Sequence, residues 1–135
     1  MKEWTMPEVA DRFEQAVRTL RRLPSVKVQG YFNAWPPIIR TTAETLQMEV
    51  EPMRLGPPSA EAISHMEETI QWIFLLDTEE ERRITWLRAA RVPWRPICWQ
   101  LGCKRTTAHH KRKMALLKIV TRLNAKRNGG RNGYK

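Results

Sequence analysis

Along most of this chain apolar residues recur at steps of three and four, and proline or glycine punctuates the runs. The first run is Val9, Phe13, Ala16, Val17, Leu20 and Leu23. Ahead of it Thr5 and Glu8 have capping-box spacing, Pro7 stands near the first helical position, and Pro24 closes the run. The pattern predicts an amphipathic helix of about five turns. Its solvated face carries Asp11, Arg12, Glu14, Arg18, Arg21 and Arg22.

Residues 25–40 break the rhythm. Val26 and Val28 alternate with polar residues too briefly to make a sheet, and Gly30 and Pro36-Pro37 interrupt any helix. An ordered loop is expected, with Tyr31, Phe32 and Trp35 docked on the helices. Residues 42–49 predict a short helix, with Ile38, Ile39, Ala43, Leu46 and Val50 on one side. The proline-rich connector EPMRLGPPS ends in a good N-cap, Ser59. The helix after it places Ile63, Met66, Ile70, Ile73 and Phe74 on one face, with His65, Glu67 and Glu68 off it.

Thr78 and Glu81 repeat the capping-box spacing and open a helix with Ile84, Leu87 and Ala90 inward. Arg82, Arg83, Arg88 and Arg91 point elsewhere, and Val92-Pro93 ends it. A two-turn helix over 94–100 turns Ile97, Cys98 and Leu101 inward. At the tight turn that follows, Gly102 supplies an unhindered or left-handed backbone. The last predicted helix runs from near Lys104 through Leu123. Ala108, Ala115, Leu116, Ile119, Val120 and Leu123 face inward, and small Ala108 permits a close crossing. The fold class is all-α, a small helical bundle ending in a helix-turn-helix. Three parts are expected: an acidic helical and loop part over 1–58, a helical DNA-binding domain over 59–124, and a Gly/Asn-rich basic tail over 125–135, expected to be disordered.

Charge changes the picture most. Residues 1–81 hold 8 Lys/Arg and 14 Asp/Glu, a net of −6, whereas residues 82–135 hold 16 Lys/Arg and no acid. The whole-chain excess of +10 is therefore a C-terminal field of +16 on helix-turn-helix punctuation. A field of that kind implies phosphate binding driven by counterion release. Other chemistry is sparse. The chain shows no Gly-rich phosphate loop, no HExxH pair and no Ser or Cys beside a plausible base. Cys98 with His109 and His110 is the one nucleophile-and-base combination, and it lies inside the helix-turn-helix, so no enzyme, cofactor or metal is expected. The two cysteines read as reduced core thiols. With no run of 18 apolar residues and no signal-peptide core, the expectation is a soluble, cytoplasmic protein without a membrane partner.

Ile97, Gln100-Leu101-Gly102, Arg105-Thr106-Thr107-Ala108 and Ala115-Leu116 resemble region 4 of bacterial sigma factors and the related LuxR-type modules, over about residues 76–118. The whole chain, with RLP, GY…WPP and RLGPPSAEAI, also resembles a family of short uncharacterised proteins of bacteria and their prophages. The sigma-like resemblance implies that Arg105, Thr106, His109 and His110 face base edges in the major groove. It puts Arg95, Lys104 and Lys113 near phosphates, which set register without reading sequence. Two positions depart from the family pattern. Lys104 stands where a Ser or Thr cap is usual, and the third inward position of the reading helix falls on Lys111 or Arg112. Either a long aliphatic stem covers the core edge there or the register is shifted by one.

The function implied is a DNA-binding transcription regulator of phage or prophage type, with double-stranded DNA as partner. Its acidic N-terminal part would dimerise or touch RNA polymerase. A small terminase-like packaging subunit, in which the other helices build a ring, and a sigma-like module that binds RNA polymerase are the rival readings.

Overall fold

A computed structural model of the chain describes residues 3–23, 35, 37–39 and 57–132, with side chains through 126. Tyr31, Phe32 and the helix expected over 42–49 lie outside the described residues. The described part is all-helical and contains no strand. Helix α1 spans Met6–Arg22, α2 Ala60–Trp72, α3 Glu79–Ala89, α4 Trp94–Leu101 and α5 Arg105–Asn132, with a 3-10 turn at Ile73–Leu75.

Helix starts follow local chemistry. Thr5 and Thr78 each head a complete capping box with Glu8 and Glu81, and the Ser59 hydroxyl accepts from the Ala62 N–H. These caps satisfy N–H groups that have no partner in the first turn of a helix.

Two cores form. In the larger, Val9, Phe13, Val17 and Leu20 of α1 meet Met66, Ile70 and Trp72 of α2, Trp86 of α3, and Ala115, Leu116 and Ile119 of α5. Trp35 and Ile39 join it from the segment before α2. Phe13 lies edge-on to both Trp72 and Trp86, at 6.2 and 6.4 Å between ring centroids. Because α1 and α5 share this core, a boundary at 58/59 does not separate two packed units. The smaller core holds Ile84 and Leu87 of α3, Trp94 and Ile97 of α4, and Ala108 of α5. Both run through α3 and α5, which makes those two helices the link between them.

Three expectations are corrected. Phe74 is exposed, while Thr69 and Trp72 are buried. The α-helix ends at Trp72, and the tighter 3-10 turn changes the angular step, rotating Phe74 out of the stripe. Trp86 and Ala89 are buried although they lie off the Ile84–Leu87 stripe, since α3 is covered on two sides. The last helix does not stop at Leu123 but continues to Asn132, so the backbone through 132 is helical where a disordered tail was expected. Extending a formed helix escapes the unfavourable nucleation step.

Candidate nucleic-acid interface

Helices α3, α4 and α5 pack around Ile84, Leu87, Trp94, Ile97 and Ala108. Ala108 is fully buried, and its missing bulk lets the start of α5 lie close to α4. Between them Gly102 adopts φ 65° and ψ 37°, the left-handed region. A Cβ built on it meets nothing within 4 Å, so conformation alone demands the glycine. The Cys103 N–H closes the turn by donating to the Cys98 carbonyl at 3.1 Å. Arg91 is also left-handed, at φ 64°, where α3 ends and the chain redirects into α4.

At the start of α5 the Lys104 carbonyl accepts the first helical bond, from Ala108 at 2.9 Å. Lys104 thus occupies the cap position with a side chain that cannot accept a hydrogen bond. No acid stands in the first turn of α5. The positive end of the helix dipole, free backbone N–H groups, Lys104 and Arg105 therefore converge on one spot, which suits an anion.

The cations of α5 divide into two sets. Lys111 bonds Glu80 at 2.7 Å, and Lys118 bonds Glu81 at 2.6 Å and Asp77 at 3.1 Å. Arg122 makes a two-pronged contact with Asp77, both prongs at 3.1 Å, and also donates to the Leu75 carbonyl. The Arg122 and Lys118 hydrogen bonds hold the Asp77 carboxyl at about 2, well below the ordinary 3.8. Burial works against ionisation of Glu81, yet bonds from Lys118 and the Thr78 and Asp77 N–H groups still carry its pKa down. The last acids of the chain are thus the ones that anchor the basic helix, an arrangement the net-charge count conceals.

Arg95, Lys104, Arg105 and Lys113, in contrast, are exposed, and among the described residues none forms an ion pair. Thr106 and His110 are exposed beside them. Positions 106, 110 and 113 follow helical spacing on one face of α5.

The inward cation is Arg112. It is half-buried with Arg88 and Glu14 nearby; burial and the Arg88 charge lower its pKa, and Glu14 opposes them. Lys111 instead turns to Glu80. Of the two cations, Arg112 is thus the one turned toward the protein.

His109 is placed differently from its expected role. Its ring stacks on Trp94 at 3.9 Å between centroids and 28° between planes, and Arg88 lies 4.5 Å from the Trp94 ring centre. This stack joins α5 to α4, so one ring face of His109 is committed to the protein. Sequence reading also missed Trp99, which is 89% exposed. It stands one helical turn beyond Arg95, off the Ile97–Leu101 stripe, and that phase was its signal.

A profile of the family described as "Domain of unknown function (DUF6362)" matches residues 21–119, most of the chain. The chain belongs to that family. The DUF6362 match runs from the last turn of α1 to the middle of α5 and takes in the whole α4, turn and α5 arrangement. No curated protein and no solved structure matches the chain. Among the described residues no cluster of His, Cys, Asp or Glu could hold a metal ion, and no helix is long and apolar enough to cross a membrane.

Proposed function

We propose that this DUF6362 protein binds double-stranded DNA, with the first turns of α5 in the major groove, and acts as a small transcription regulator of phage or prophage type. One observation carries the reading. Arg95, Lys104, Arg105 and Lys113 are exposed around the start of α5, while the middle of the same helix is neutralised by Asp77, Glu80 and Glu81. The start of α5 therefore keeps a positive field that its middle lacks. Arg105, Thr106 and His110 have the chemistry to read base edges, Arg105 by a two-pronged bond to guanine. Arg95, Lys104 and Lys113 supply phosphate contacts that fix register. His109 supports the reader through Trp94 more than it reads.

The test compares charge reversals on the two sets of cations. Full-length protein carrying Lys104→Glu, Arg105→Glu and Lys113→Glu should lose binding to a mixed-sequence duplex at low salt. The pair Lys118→Glu and Arg122→Glu should lower thermal stability first. Absence of duplex binding by the wild type, or binding indifferent to the triple reversal, overturns the reading.

A further inference from the structure

Beside the start of α5 lies an open groove of about 620 Å³. It is lined by Arg95, Cys98 and Trp99 of α4 and by Cys103, Lys104 and Arg105 after the turn. No acidic residue lines it. Trp99 is 89% exposed, whereas Trp35, Trp72, Trp86 and Trp94 are all buried. A tryptophan left in water among three cations has none of the packing that accounts for the others, yet it offers a flat π surface ringed by positive charge.

We infer that this groove takes an unstacked nucleobase on Trp99, with the flanking phosphates held by Arg95 and Lys104. The inference rests on the DNA-binding reading and deepens it: the protein prefers DNA with an unpaired base at the edge of its duplex site. Base-on-aromatic stacking tolerates any base, because every base has a π face, and phosphate clamps beside it hold the strand. Charge complementarity selects a polyanion, and the exposed indole selects one that carries aromatic rings. Lys104 and Arg105 border both the groove and the reading face, so one strand can run from duplex to groove without leaving positive surface.

The test uses full-length protein and four probes: a blunt duplex, the same duplex with a one-nucleotide bulge, heparin as a polyanion without bases, and polyglutamate as an acidic peptide. Roughly tenfold tighter binding to the bulged duplex is expected, within the range a single stacked base supplies. Trp99→Ala should bring that ratio near one, and Trp99→Phe should keep most of it. Both substitutions sit at an exposed position, so circular dichroism and thermal melting should match the wild type. DNA should also protect the Trp99 part of the emission (wild type minus Trp99→Phe) from acrylamide, and heparin should not. Equal affinity for bulged and blunt duplexes overturns the inference and leaves the duplex reading intact. So does a Trp99→Ala variant that weakens both equally, or heparin or polyglutamate protection as strong as that from DNA. Failure to bind any DNA removes both.

Discussion

On the proposed DNA-binding reading, the salt dependence follows from how the cations around α5 are divided. Each phosphate neutralised contributes about −0.9 to the slope of log K against log salt. If every Lys and Arg in residues 82–135 counted, 16 in all, the slope would be about −14. Of these, ion pairs to Glu14, Asp77, Glu79, Glu80 and Glu81 withdraw Arg91, Arg122, Arg83, Lys111 and Lys118, backbone carbonyls hold Arg82 and Arg88, and Arg112 turns inward. Lys126 stands 21 positions beyond Arg105, about 31 Å along the helix, too far for the same contact, and Arg127, Arg131 and Lys135 come later still in the chain. Arg95, Lys104, Arg105 and Lys113 remain; with Arg105 on a base edge, three phosphate contacts give a slope of about −2.7. Between 50 and 200 mM salt the affinity should fall about 40-fold. Fluorescence anisotropy with a labelled duplex, titrated across that range, measures this directly. Lys113→Gln should flatten the slope by about one unit, while Lys118→Gln should leave it unchanged. A slope shallower than about −1.5 or steeper than about −7, or equal effects of the two substitutions, would refute the division into free and anchored cations.

Other outcomes are open to measurement. Arg105→Ala should cost roughly 1–3 kcal/mol on the preferred sequence and relax preference at one or two base pairs; uniform weakening across sequences would make Arg105 a phosphate contact instead. Gly102→Ala should destabilise by about 1–2 kcal/mol in denaturant unfolding, because the φ of 65° is strained for any Cβ while the space is open. Gly102→Asn should cost less, and a loss above about 4 kcal/mol for the alanine variant would expose a steric conflict that the open space excludes. Acid should act through Asp77. A carboxyl whose folded pKa lies below its unfolded value stabilises above the unfolded value and loses that contribution as pH falls through the folded one. For Asp77 the loss falls between pH near 4 and about 2. Asp77→Asn should remove that portion of the acid sensitivity in denaturant titrations from pH 5 to 2, and identical pH profiles would contradict the bond to Arg122.

Much of this arrangement was legible from the residues. The stripe from Val9 to Leu23, both capping boxes, the Ser59 cap and the left-handed Gly102 follow from local rules, and local rules act over a few residues. What escaped depends on more than one neighbour. A single-stripe reading of α3 finds Ile84 and Leu87 but passes over Trp86, because the helix lies between two cores. The basic run predicts a charged surface but not which cations are neutralised, since Asp77 and Glu81 lie 41 and 37 positions before Lys118 in the chain. His109 and Trp94, on different helices, meet only once Ala108 has brought α5 against α4. The position left open between Lys111 and Arg112 was settled by Glu80, which lies opposite Lys111.

Asn124 ties the start of the chain to α5. Its side chain accepts from the Trp4 N–H at 2.8 Å and donates to the Trp4 carbonyl at 3.1 Å. The helix is a single shaft of 28 residues, about 42 Å long, with Arg105 at one end and this clasp 19 residues further on. The shaft is gripped along its length, by Ala108, Ala115, Leu116 and Ile119 in the cores and by Lys111 and Lys118 on Glu80 and Glu81, and the clasp splints its far end. Loosening Trp4 therefore frees the far end of the shaft to fray while the grip nearer Arg105 holds.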